Sequence, residues 1–522
     1  MPSIPLERYP GLPPLFLDFA RGASPFYPDP PTVEAAVVRG REILGERNRR
    51  RLSAGAYRFR GDAGRKTAEE LAAGRAVAVL AGHQVGLLAG PLYTLVKAFD
   101  AIAFARELSS RGVPAVPVFW ALTDDHDLEE IARTAKPGPD GPRTFLLEGA
   151  DRSNRHPVGR LPIPEGVRGI LEAFREDGRG EDRFLDTLSR RYAPGATYGE
   201  AFVESLLDLT EGEPLVVVDP LGEEIADAAR RLFAAGLERR AEIGESLRRV
   251  ADEIAALGRE PSVPFRPEVF PFFVIDDGVR RRIEPADLER VGERVARGEL
   301  LVSADVLTRP VLKSLVLPAA ASVLGPSEIA YHAQSLPLFP IFRAAVPVLF
   351  PRTFLVLRGP AERRAAKALG ISDDELLTLG AASRAPVALP QADRVDEIAR
   401  RLETELTALA PEVESLDPTL AGALETARRK ATYQLEQLGE RMRKAVERKD
   451  EVAGNRRRRL ETMLLPGGQP AERVYPPLAF LQTWGDGLLD ALAAAAGSGG
   501  REVTIVDLDG PADSQTRTSH AG

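Results

Sequence analysis

Two clusters in the stretch from Ala76 to Ile131 have residue types and spacing suited to chemistry. The first is Gly82-His83-Gln84-Val85-Gly86 followed by Gly90, three glycines that let backbone pass close to a ligand. His83 could add a hydrogen bond or a positive charge there. The second is Asp124-Asp125-His126-Asp127, with Glu129 and Glu130 just beyond. Carboxylates beside an imidazole suit orienting an amine or sugar hydroxyls, and general base work by Asp125, His126 or Asp127. Four consecutive side chains alternate in direction and rarely supply three ligands to one ion, so no metal site is expected. The blander readings are a tight turn with a surface histidine and helix N-capping by one of the aspartates.

Other candidates lie on helical spacings. Lys97 follows Tyr93 by one turn, so both project from one face and could hold a carboxylate or phosphate. Gly325-Pro326-Ser327-Glu328 reads as a turn into a helix on which Glu328, Tyr331 and Gln334 lie three apart. Arg309 offers a guanidinium fork for a carboxylate. Arg352 is a weaker candidate of the same kind. For each of these charges, a solvated side chain or a surface ion pair is the competing reading. Arg456 to Arg459 form a basic run, which on a helix points around the axis and most often faces solvent.

The elements that must position these groups can be read from hydrophobic pattern. Ala76 to Leu80 is a short apolar run expected of a strand buried on both faces. Pro91 opens a helix to about Leu108, Gly112 stops it, and Val113 to Trp120 is the next strand. In an open parallel sheet, ligands sit outside the carboxyl ends of the strands, so both clusters should face one crevice. The glycine spacing is neither GxGxxG nor a Walker A loop. It loosely resembles the first ATP-site loop of class I aminoacyl-tRNA synthetases, which makes Gly82, His83, Gln84, Gly86 and Gly90 candidates for binding nucleotide phosphate at a helix N-terminus.

The organisation expected is an N-terminal helical segment (1–75), the first part of a Rossmann-like core (76–145) and a connecting insertion (146–300). The second part of the core (301–385), an antiparallel coiled coil (390–465) and a C-terminal segment with a flexible tail (466–522) follow. The insertion carries the strand Leu215 to Val218, a long helix from Glu223 to Leu257 and the strand Val269 to Ile275. Val395, Ile398, Leu402, Leu406, Leu409 and Val413 keep the 3–4 spacing of a coiled-coil seam, as do Leu424 to Ala445 after a break at Asp417-Pro418. The hairpin either packs on its own core or serves as a dimerisation arm.

A net charge of −8 argues against broad nucleic-acid or anionic-membrane binding. No apolar run approaches the roughly 20 residues needed to span a bilayer, and the N-terminus lacks a signal-peptide pattern. The absence of cysteine excludes disulfides, thiolate metal sites and a cysteine nucleophile. A cytoplasmic protein is expected.

Several motifs together resemble the cysteine-adding enzyme family of bacillithiol biosynthesis. They are Gly82-His83-Gln84, Gly90-Pro91-Leu92-Tyr93-Thr94 with Lys97, Pro117 to Trp120, and Asp125-His126-Asp127. Phe26-Tyr27-Pro28, Asn48, Thr308-Arg309-Pro310, Gly325 to Tyr331 and Glu472-Arg473 extend the match over nearly the whole chain. His83 stands where Gln is expected, and Leu324 where a second Gly is usual. The resemblance implies an α/β, Rossmann-like parallel-sheet core similar to class I nucleotidylyl transferases. It also implies a ligase that adds L-cysteine to the amine of glucosaminyl-malate, and a homodimer formed through the coiled coil. ATP or another nucleotide, with Mg as its companion ion, is the implied cosubstrate, and no tightly bound cofactor is expected. No KMSKS-like loop is present, so a pre-activated cysteine donor stays open. A nucleotidyl transferase acting on another metabolite and a non-catalytic coiled-coil scaffold are the rival readings.

Overall fold

The computed structural model describes residues 1–46, 51–151, 153–176, 182–264, 266, 269–379, 390–417, 420–447 and 451–509. Asn48, Pro418 and the tail from Asp513 lie outside the described residues. The chain divides into two compact units. One comprises Met1–Gly138, Pro142–Pro360 and Gln469–Gly522; the other comprises Pro139–Gly141 and Ala361–Gly468.

The first unit is built on a six-stranded sheet. Its strands are β1 (Tyr57–Phe59), β2 (Val77–Gln84), β3 (Ala115–Leu122) and β4 (Val216–Val218), then β8 (Ala319–Leu324) and β9 (Val348–Pro351). They lie in the order β9-β8-β2-β3-β4-β1, all parallel except β1, which runs antiparallel to β4. Strand β2 is buried on both faces, as its run of Val, Ala and Leu requires. The chain winds outward from β2 through β3 to β4, then returns to the other side of β2 for β8 and β9. The order therefore reverses between β2 and β8, and the crevice of a doubly wound sheet opens at that point.

Helix α1 (Leu92–Ser110) packs beside β2 and β3. Apolar on nearly every face, it is buried almost throughout, as such a composition demands. Between β4 and β8 the chain forms an outlying layer that includes helix α2 (Arg240–Ala256) and a small antiparallel sheet. Its strands β5 (Phe272–Asp276), β6 (Val279–Arg282) and β7 (Leu301–Ala304) lie in the order β7-β5-β6.

The structure departs from the expected organisation at four places. Strand β4 belongs to the main sheet, so the core extends into the segment expected to be an insertion. Residues 1–75 contribute strands as well as helices, because Tyr57–Phe59 closes the sheet edge and Ser3–Pro5 pairs with Glu502–Asp507. The C-terminal segment is also structural, since Glu502–Asp507 runs parallel to Phe354–Arg358. Finally, the stretch of the first unit that holds the second part of the core ends at Pro360, before the expected limit of 385.

The second unit is helical. Helix α5 (Pro390–Ala408) packs along α6 (Ala421–Glu447), and α7 (Glu451–Leu464) follows. Arg428 bonds Glu403 across the first pair at 2.7 Å, and Arg443 pairs with Asp396. Within the basic run, Arg459 pairs with Glu362 at 2.7 Å. Among the described residues no helix is long and apolar enough to cross a membrane.

Gly82 shows how tightly the sheet constrains the site. It lies within β2, paired with Trp120, rather than in the turn that its glycine suggested. A Cβ there would sit 2.8 Å from the Trp120 carbonyl oxygen, against rigid backbone. Gly82→Ala is therefore expected to lower stability by about 1–3 kcal/mol, measured by urea unfolding; an unchanged midpoint would show that β2 and β3 can separate locally.

Candidate active site

A cavity of about 620 Å³ opens at the carboxyl ends of β2 and β8, between the main sheet and the outlying layer. His83, Gln84, Tyr93, Lys97, Asp125, His126, Arg309, Glu328, Tyr331 and Gln334 all line it. Residues from five sequence segments thus converge where the strand order reverses.

Its floor is a buried ion pair. Lys97 is 1% exposed; its Nζ donates to the Gly82 carbonyl at 2.9 Å and to the Glu328 carboxylate. Glu328 also accepts from the Gly325 amide at 2.6 Å, at the head of helix α4 (Pro326–Ser335). Burial pushes the Glu328 carboxyl up, but Lys97 and the Gly325 amide together hold it below its ordinary range. Lys97 is thus neither a solvated lysine nor a free anion clamp. Its charge is already balanced.

His83 is held in one orientation. Its Nδ1 lies 3.1 Å from the Gln84 carbonyl oxygen, which can only accept, so this nitrogen carries the proton. Nε2 then accepts from the Tyr93 hydroxyl at 2.7 Å. Burial, reinforced by Lys97, pushes the imidazole down to about 3, so it supplies hydrogen bonds and no positive charge at neutral pH. Tyr93 is braced in turn by Arg352, whose guanidinium lies 4.9 Å from its ring centre. Arg352 is itself committed to Glu472 at 2.8 Å, the Thr353 carbonyl at 2.7 Å and the Tyr9 hydroxyl at 3.0 Å, which removes it as a substrate clamp.

The acidic cluster forms the opposite wall. Asp125 accepts from its neighbour's amide, His126 N, at 2.8 Å, and receives longer contacts of 3.4 Å from Arg280 and Gln84. Burial pushes its carboxyl up, but Arg309 and Arg280 outweigh that and keep it ionised. Asp127 is exposed and does not line the cavity, so a catalytic part for it finds no geometric support. Asp124 does not line the cavity and accepts from Ser303 at 2.6 Å.

Arg309 is the best-placed anion clamp. It begins helix α3 (Arg309–Val316), whose first turn is fixed by Asp305 accepting from the Leu307 and Thr308 amides at 2.9 and 3.0 Å. Its side chain is buried, yet its Nε has no partner among the described residues. Gln334, by contrast, spends its amide on both backbone groups of Val263, at 2.9 and 2.7 Å, and anchors the outlying layer instead of a substrate.

The glycine loop divides its candidates. His83 and Gln84 line the main cavity, Gly82 supports the sheet, and Gly86 and Gly90 line a neighbouring cavity of about 310 Å³ with Arg133 and Arg473. The loop is strained, with Leu88 and Ala89 at φ of 52° and 68°. Tyr192 holds it there, its hydroxyl donating to the Gly86 carbonyl and accepting from the Ala89 amide, each at 2.8 Å.

Sequence reasoning missed Tyr192 and Arg280. Nothing in the sequence marks Tyr192. Arg280 had a signal: Asp276-Asp277-Gly278 is a hairpin turn, and the run Arg280-Arg281-Arg282 after it places 280 and 282 on one strand face. Both line the cavity. Among the described residues, no group of three or more His, Asp or Glu side chains is arranged to hold a metal ion.

Comparison with known proteins accounts for most of the chain. Residues 46–353 match the family described as "Bacillithiol biosynthesis BshC, N-terminal Rossmann-like domain", and residues 379–508 match the corresponding "C-terminal coiled-coil domain". A protein of Solibacter usitatus is 30% identical, over 78% of this chain and 80% of its own length. One from Koribacter versatilis is 29% identical over 81% and 82%, and one from Thermus thermophilus 31% over 79% and 84%. Each bears the name "Putative cysteine ligase BshC". The chain belongs to the BshC family.

The neutral His83 predicts a pH effect. A histidine whose folded pKa lies below its unfolded value of about 6.5 favours the fold fully above that pH. Its contribution fades as pH falls from 6.5 towards 3, by at most about 1.4 kcal/mol per unit. Glutamine can keep both hydrogen bonds without titrating. His83→Gln should therefore lose less thermal stability than the parent between pH 6.5 and 4.5; equal losses would show that the imidazole is not held neutral.

Proposed function

We propose that this chain is a cytosolic ligase that joins L-cysteine to the amine of glucosaminyl-malate, forming bacillithiol. The observation that carries the reading is that Arg309 lines the same cavity as Asp125 and His126. A malate carries two carboxylates, and a guanidinium fork recognises a carboxylate through paired hydrogen bonds. The cavity walls carry more arginine and lysine than carboxylate side chains, which also suits an anionic substrate.

Amide formation needs an activated acyl carbon, because a free carboxylate is unreactive toward amines at neutral pH. In this reading a nucleotide activates the cysteine carboxylate. The loop at the head of α1 lines the second cavity through Gly86 and Gly90, and Arg473, which lines both cavities, offers charge to a phosphate there. Lys97 and His83 add none, the one being paired and the other neutral. The glucosamine nitrogen then attacks the acyl carbon, the bond to the leaving group breaks with its electron pair, and the nitrogen's proton passes to a cavity base.

A cell lacking this gene should lose bacillithiol and accumulate glucosaminyl-malate, measured by mass spectrometry of trapped thiols. The parent gene should restore the thiol. Arg309→Met should raise KM for glucosaminyl-malate about 10- to 100-fold, the loss expected for hydrogen bonds to a charged group. Unchanged bacillithiol in the deletion strain, with no second copy of the gene, would favour a nucleotidyl transferase acting on another metabolite.

The helical unit is proposed to pair with a second copy of the chain. Ile398, on α5, and Leu409, just beyond its end, are 48% and 41% exposed. Light scattering should give twice the chain mass of 56.5 kDa, and Ile398→Glu should shift the population toward monomer. A monomeric parent at micromolar concentration would exclude the pairing.

A further inference from the structure

We propose that Arg280 is a positioning residue that fixes His126 with its proton on Nε2, so that the imidazole donates into the cavity and Asp125 is left as the acceptor of the amine's proton. A guanidinium has donors only. Arg280 Nη1 lies 2.6 Å from His126 Nδ1, so that nitrogen must present its lone pair. A neutral ring with its lone pair on Nδ1 carries hydrogen on Nε2. Protonating Nδ1 would set two N–H groups against each other, and burial together with Arg280 accordingly holds the His126 pKa below its ordinary value.

Arg280 is in no position to swing away. It is 3% exposed, its Nε donates to Ser303 at 3.0 Å, and Ser303 donates to Asp124 at 2.6 Å. Its guanidinium lies 3.7 Å from the centre of the Phe273 ring, and its backbone amide donates to the Arg155 carbonyl at 2.8 Å. The charged groups that act on His126 are Arg280 from β6, Asp125 and Asp127 on its own loop, and Arg155 from the segment between β3 and β4.

The two site histidines are thus held in opposite tautomers. His83 carries its proton on Nδ1, against a carbonyl; His126 carries it on Nε2, against a cation. With both His126 nitrogens committed, one to Arg280 and one to its own proton, the ring cannot take up a proton without breaking a contact. Asp125 can. Its side chain keeps about a fifth of its surface open, and its contacts to Arg280 and Gln84 are long enough to leave lone pairs toward the cavity. As the nitrogen–carbon bond forms, the nitrogen becomes acidic and its proton passes to the Asp125 carboxylate. His126 Nε2–H donates to the acyl oxygen as negative charge builds there. The Asp125 step rests on the amide-forming reading; the tautomer does not.

The test begins with the parent protein. The full chain, labelled with ¹⁵N-histidine, would be examined at pH 7.5 by long-range proton–nitrogen correlation, with only five histidines to resolve. His83→Gln and His126→Gln would assign the two rings. The expected spectrum shows His126 with a bare Nδ1 and a protonated Nε2, and His83 the reverse. A proton on His126 Nδ1, alone or with Nε2, overturns the proposal without reference to any reaction. Arg280→Met should release the ring into a tautomer mixture, whereas Arg280→Lys, which still donates, should preserve it. In turnover, Asp125→Asn should lower kcat by about 100-fold or more, and His126→Gln should lower it by about 10-fold and leave the acidic limb of the pH profile in place. Loss of that limb in His126→Gln would make the histidine the base and overturn the Asp125 assignment.

Discussion

The rest of the site depends on the buried pair between Lys97 and Glu328. It joins α1, which follows β2, to α4, which follows β8, across the point where strand order reverses. Each ion costs several kcal/mol to remove from water, and mutual attraction offsets that only where further hydrogen bonds complete both shells. The Gly82 carbonyl and the Gly325 amide supply those bonds here. Because the Gly82 carbonyl lies within β2 and the Gly325 amide follows β8, the pair ties these two hydrogen-bonded neighbours together near their carboxyl ends as well as neutralising charge. The cavity above the pair carries His83, Tyr93 and Tyr331 in its lining.

With the floor neutral, the chemistry passes to the walls. Arg309 and Arg280 stand near Asp125, one with a buried Nε that has no partner among the described residues and the other bonded through both Nε and Nη1. Two arginines close in space therefore do different work, and the difference lies in what holds each. The same logic separates Tyr93, whose hydroxyl is given to His83, from groups open to a ligand.

Much of this was legible in the sequence, for identifiable reasons. Strand β2, helix α1 and strand β3 stand out because burial on both faces leaves uninterrupted apolar runs. Glu328 and Lys97 were found by helical spacing, which reports that a residue shares a face with others but not what the face meets. Hence Lys97 could be read as a clamp although Glu328, 231 residues away, already holds it. The end of β2 was misplaced because Gly82 has low strand propensity, which pairing with Trp120 overrides. The division of 1–75 and 466–522 was misread for a related reason: three-residue strands such as Tyr57–Phe59 carry too little pattern to announce themselves. Gln334 and Arg352 were credited with binding because their partners, Val263 and Glu472, are distant in sequence.

Glu472 has a consequence for how the protein comes into being. It anchors Arg352, which braces Tyr93, which orients His83, yet it lies beyond the entire helical arm in the chain. A nascent polypeptide emerging from the ribosome can form β2, β3 and α1 early, from contacts close in sequence. The wall of its cavity stays without its keystone until more than a hundred further residues have followed Arg352. Because closing so long a loop is slow, binding competence should be the last property the folding chain acquires, so truncated products would carry most of the sheet without a finished pocket.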